Sequence, residues 1–201
     1  MHRCRPANSP SLTALLISAL LTACGGGGGG SSAGGGSNPP PTSEAPIQTG
    51  NWVDVAFSGL SYVSGTINGT TSATGGYTYR CPSGCDSIRF AIGGIAIGQA
   101  TVVAATLTLR ELQGGMEGGV LSSATLRRGQ FLFSLDSDAD VSNGVSIPAE
   151  VANVLSTRSL NFSSSTFDTE LAAILDVLRN DNRLTATYRA LISAPSIDFV
   201  R

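Results

Sequence analysis

The chain has no lysine; all twelve of its basic residues are arginine, and its one histidine is His2. From residue 3 onward there is therefore no imidazole. That excludes a Ser-His-Asp or Cys-His catalytic pair and a histidine zinc site from the rest of the chain. The sequence also lacks a Gly-x-Ser-x-Gly elbow, and without lysine it cannot form a Gly-x-x-x-x-Gly-Lys phosphate loop. No run of arginines forms a basic patch, and the formal charge is −2. Nucleic acid, whose binding is dominated by phosphate contacts to clustered cations, is excluded as a partner. A hydrolase built on a carboxylate pair is the enzyme class these absences leave open. The acids are scattered, however, at positions where turns and helix starts want them, and the expectation is a protein that is not an enzyme.

What is present begins with an export address. His2, Arg3 and Arg5 make a basic start, and residues 12–21 form an uncharged apolar core. This core is too short to span a bilayer, which takes about 20 apolar residues, and it has the layout of a signal peptide. It ends Leu21-Thr22-Ala23-Cys24, which resembles the lipobox of bacterial lipoproteins. The resemblance implies cleavage after residue 23, lipid on Cys24, and a membrane partner held through that anchor. Gly25 follows the cysteine where an aspartate would mark retention, which by the same resemblance implies the outer membrane. With residues 1–23 removed, ten arginines face fourteen acids, a formal charge of −4. Residues 24–50 are the lipidated cysteine and a Gly/Ser/Pro-rich tether that buries too little to order itself. As a flexible coil it spans roughly 30 Å.

Of the other cysteines, Cys4 leaves with the signal, while Cys81 and Cys85 flank Pro82-Ser83-Gly84. In an oxidising compartment the expectation is a Cys81–Cys85 disulfide. So small a loop supplies only about 2 kcal/mol of chain entropy. The competing readings are a redox pair and half of a metal site.

Residues 51–112 carry short runs rich in Val, Ile, Thr and Tyr, broken by glycine. Strands are predicted over 52–62, 76–80, 88–97 and 99–112, with Gly93-Gly94 bending or bulging the third. Residues 113–201 change texture after a glycine-rich turn at 114–119. Helices are predicted over 124–135, 148–155 (Pro148 in its first turn), 166–179 and 184–192. The third has its apolar stripe at Phe167, Leu171, Ile174, Leu175 and Leu178, with Ser165 as its cap. Strands first and helices second predict an α+β domain. Its expected form is a small antiparallel β-sandwich-like N-terminal part under a C-terminal helical cap.

Three segments carry a family resemblance: Gly59-Leu60-Ser61-Tyr62, residues 69–79 and residues 90–98. Together they look like a transthyretin-like β module common in bacterial surface lipoproteins and adhesin-like proteins, in which a segment like 132–147 follows. Ser72 stands where that module has an acid, and the Cys81/Cys85 pair is a local addition. The resemblance implies an adhesion or structural module with a protein or glycan partner at the cell surface. It supplies no catalytic residues.

Two constellations have chemistry of their own. Asp136, Asp138 and Asp140, followed by Ser142 and Asn143, resemble the opening of a calcium loop, in which oxygen ligands recur at every second residue. Val141 and Ile147 stand where an EF-hand needs glycine and glutamate. A calcium ion held by Asp136, Asp138, Asp140 and Asn143 is thus set against a solvated turn whose Asp and Asn side chains bond nearby amides. Trp52, Tyr62, Tyr77 and Tyr79 read either as a sugar-stacking platform or as core aromatics.

Overall fold

Alternation of apolar and polar residues makes the strands of the N-terminal half. They are β1 (Ile47–Trp52), β2 (Phe57–Ser58), β3 (Ser61–Ser64), β4 (Ile67–Thr70), β5 (Gly76–Arg80), β6 (Ile88–Ile92), β7 (Ile95–Ala100) and β8 (Thr106–Leu107). The computed structural model describes residues 46–80, 87–101, 105–193 and 195. The expected signal and lipidation site at Cys24, nearly all of the expected tether and the Cys81/Cys85 pair lie outside the described residues. The first described strand, β1, starts at Ile47, inside the stretch expected to be tether.

Two sheets face each other. One has the order β5-β1-β8 and the other β4-β3-β6-β7. Neighbours are antiparallel, except that β1 and β8 run parallel. With a period of two, Tyr77 and Tyr79 point inward from β5, while Tyr62 and Phe90 point inward from β3 and β6; all four are buried. Their rings interlock between the sheets, with centroids 6.4 Å apart for Tyr62–Tyr77, 5.7 Å for Tyr77–Phe90 and 4.9 Å for Trp52–Phe90. The Tyr62 hydroxyl accepts from the Thr78 amide at 3.1 Å, a further link from one sheet to the other. The fold is α+β with a sandwich-like β part. Its aromatic centre uses the residues that a sugar platform would have needed at the surface, so the platform reading is corrected.

Two strand expectations change. Residues 88–97 form a hairpin, with Ile92 paired to Ile95 across Gly93-Gly94, and the irregularity falls at Phe90/Ala91 instead. The span 99–112 does not stay extended. After β8, Thr108 caps a 3-10 turn at Leu109–Glu111 by a capping box: its hydroxyl accepts from the Arg110 amide, and Glu111 reaches back to the Thr108 amide at 2.6 Å. A Thr-x-x-Glu pattern competes with a strand by satisfying these amides locally.

In the second half, residues 114–119 are more than a turn. β9 (Met116–Glu117) and β10 (Val120–Leu121) pair antiparallel across Gly118-Gly119, both at positive φ (59° and 86°) as a two-residue hairpin turn requires. The helices are α1 (Ser123–Phe133), α2 (Ala149–Val154), α3 (Phe167–Asn180) and α4 (Ala186–Leu191). Ser122 caps α1 through the Thr125 amide, and Pro148 stands at the α2 cap instead of inside its first turn. The five stripe residues of α3 are all buried. Its cap falls on Thr166 instead of Ser165, where Glu170 accepts from both the Thr166 and Ser164 hydroxyls. A short strand, β11 (Val145–Ser146), pairs parallel with β2 and joins the helical half to the sandwich.

Candidate functional site

A concavity among the described residues forms where four segments meet. Trp52 ends β1, Phe57 opens β2, Thr108–Arg110 turn under the sandwich, and Phe133 closes α1. Between them and the β9–β10 hairpin lies an open cleft of about 420 Å³. This volume lies in the range of small-molecule pockets, and like them the cleft is mostly apolar. Its floor is aromatic: Trp52 meets Phe57 edge to face at 5.3 Å, and Phe57 stacks on Phe133 at 6.1 Å. Asp54 and Arg110 add one charge of each sign.

The hairpin wall is held at its base. Gly115 O accepts from the Ser122 amide at 3.0 Å and the Thr125 hydroxyl at 2.9 Å, while Gly114 O accepts from the Ser122 hydroxyl at 2.5 Å. An isolated two-stranded hairpin is marginal in water; these bonds, made by buried Ser122 and Thr125, fix it to α1. It then holds Met116 and Val120 outward, 39% and 67% exposed, with Val53 52% exposed on the β1 side. Apolar side chains held in water by a pinned support are a preorganised contact surface. Sequence reasoning missed this site because its walls come from four separate segments. The pair of glycines at 118–119 was the available signal for the hairpin.

The aspartate loop resolves its three acids differently. Asp140 Oδ1 accepts from the Ser142 amide at 3.1 Å and its hydroxyl at 2.6 Å, capping a 3-10 turn at Val141–Asn143. Exposed Asp138 accepts from the Asp140 amide and from Asn143 Nδ2, both at 2.9 Å. Asp136 is only 2% exposed. Its Oδ1 accepts from the Ser137 and Ser146 amides, both at 2.9 Å, while its Oδ2 is buried without a partner. Burial first, and then the neighbouring Asp138, push the Asp136 carboxyl above the ordinary range, against the pull of the Ser146 amide. Asp138 is held below it, chiefly by Asn143 and the Asp140 amide. Ala139 between them sits at φ 60°, the one left-handed residue other than glycine among those described. Among the described residues no three His, Cys, Asp or Glu side chains gather into a group that could hold a metal ion. The four-ligand calcium set is therefore not assembled here: Asp140 turns to its own cap and Asn143 gives its amide to Asp138.

Among the described residues no helix is long and apolar enough to cross a membrane. Comparison with family models, with curated proteins and with solved structures finds no match.

Proposed function

We propose that this chain is a non-enzymatic, lipid-anchored protein of the bacterial cell envelope, tethered to the outer membrane through Cys24. Its folded part is a binding module that takes a protein or glycan partner in the cleft between the sandwich and the β9–β10 hairpin. The observation carrying this reading is the pinned hairpin, which presents Met116 and Val120 to solvent beside an apolar floor. The rigid sandwich behind it suits an adhesion or structural role. The lipobox-like Leu21-Thr22-Ala23-Cys24 and the absence of histidine beyond His2 support the anchored, non-catalytic part.

The test uses the full chain expressed in a bacterial host. Wild type should partition with the outer membrane and incorporate labelled palmitate, while Cys24→Ser should lose the label and leave the membrane. The Met116→Asp/Val120→Asp variant should keep its melting temperature within about 4 °C, since surface changes of this kind cost under about 0.5 kcal/mol each. It should also lose at least tenfold in binding to envelope components that wild type retains. Equal retention by the variant would remove the cleft as the binding site. An unlabelled, soluble wild type would remove the anchor.

A further inference from the structure

The hydroxyls and rings of the cleft are already engaged within the protein. The Thr125 hydroxyl donates to Gly115 O at 2.9 Å, and the Thr108 hydroxyl donates to the Glu111 carboxylate. Trp52 and Phe57 are 3% and 2% exposed, and they pack against each other, Phe90 and Phe133. A sugar is held by many hydrogen bonds to its hydroxyls and by an open aromatic face, and this cleft presents neither. What it does present is apolar wall, from Val55, Leu109, Met116, Val120 and Leu121, together with Asp54 and Arg110. Both charged residues are exposed. Among the described residues neither side chain forms a hydrogen bond or ion pair, with the other or with any third group. Two opposite charges left unpaired at one apolar cleft are complementary to a ligand that brings a charge of each sign beside an apolar group.

We infer that the cleft binds a peptide segment of a partner protein in which one large apolar side chain is flanked by an acidic and a basic residue. The inference rests on the cleft being the binding site, and it narrows the partner from protein or glycan to protein. The apolar side chain enters between the β9–β10 hairpin and the Trp52/Phe57 floor. Its burial supplies most of the affinity, as buried anchors do at protein interfaces. The acidic residue meets Arg110, whose planar guanidinium can hold a carboxylate by two parallel N–H···O bonds. The basic residue meets Asp54. Exposed ion pairs of this kind add little affinity, and they fix the orientation and choice of partner instead.

Trp52 is the only tryptophan and lines the cleft, so its emission reports occupancy. The full chain is titrated with the blocked tripeptides Asp-Phe-Arg and Arg-Phe-Asp, with their counterparts carrying Ala for Phe, and with cellotetraose. One or both of the Phe peptides should change the emission saturably, and the Ala counterpart should bind at least about tenfold more weakly. Arg110→Glu should weaken the Phe peptide roughly threefold to tenfold. A peptide with Lys in place of its acid should bind Arg110→Glu more tightly than wild type, a reversal that a damaged fold would not produce. No saturable change with either Phe peptide, equal binding of the Phe and Ala peptides, or no reversal would each overturn the inference. Saturation by cellotetraose alone would overturn the peptide and keep the cleft as the site. Failure of the cleft itself is read separately, from equal retention of envelope components by Met116→Asp/Val120→Asp.

Discussion

Phe90→Ala should destabilise the folded part by about 3–5 kcal/mol, the range for removing a large aromatic from a packed core. Phe90 is 1% exposed and stands at the centre of the sandwich. Its ring is 4.9 Å from Trp52, 5.7 Å from Tyr77 and 6.3 Å from Tyr62. Alanine would remove all three contacts at once and leave a cavity that strands on both sides, fixed by their ladders, cannot close. Urea unfolding followed by the emission of Trp52, the only tryptophan, measures the loss directly. Because Trp52 also floors the cleft, its emission in the folded variant should shift as well. A loss under 1 kcal/mol would mean that the two sheets do not share this aromatic centre.

Gly93→Ala should cost about 2–5 kcal/mol. Gly93 turns β6 into β7 at φ 57°, a conformation that costs residues with a Cβ roughly 1–2 kcal/mol. A Cβ there would also lie 2.5 Å from Ala152 O and 2.7 Å from the Leu155 carbonyl carbon, both backbone atoms at the end of α2. Forcing them apart adds about 1–3 kcal/mol of overpacking. Gly119→Ala is the control: it has φ 86° and open space around its Cβ position, so it should show the conformational cost alone. Chemical unfolding of the two variants side by side separates the terms. Equal losses would show that α2 does not press on this turn.

Helices and faces followed from local sequence. The stripe from Phe167 to Leu178 predicts both the existence of α3 and the side it buries, because a helix of that period has one place to put five apolar side chains. The alternation of Tyr77 and Tyr79 in β5 did the same for one face of the sandwich. An apolar period of two predicts a strand over residues 99–112; Thr108 and Glu111 override it with a local cap. Gly93-Gly94 predicts a bend or bulge within one strand, whereas it reverses the chain. Two adjacent glycines allow either outcome, and the neighbouring α2 backbone fills the space outside the turn.

The sequence by itself determined the chemistry available to this protein: arginine as its only strong base, no imidazole beyond His2, and a lipobox-like cysteine ahead of a glycine tether. It also determined the α+β class, since periodicity is a property of neighbouring residues. Tertiary structure alone decided the sites. Asp136, Asp138 and Asp140 recur alike in the sequence, yet only Asp136 is buried, with one of its oxygens accepting from the Ser146 amide ten residues away. The cleft likewise exists only where Trp52, Phe57, Leu109 and Phe133 converge. Burial and concavity depend on which distant segments meet, and no local pattern of residues encodes that meeting.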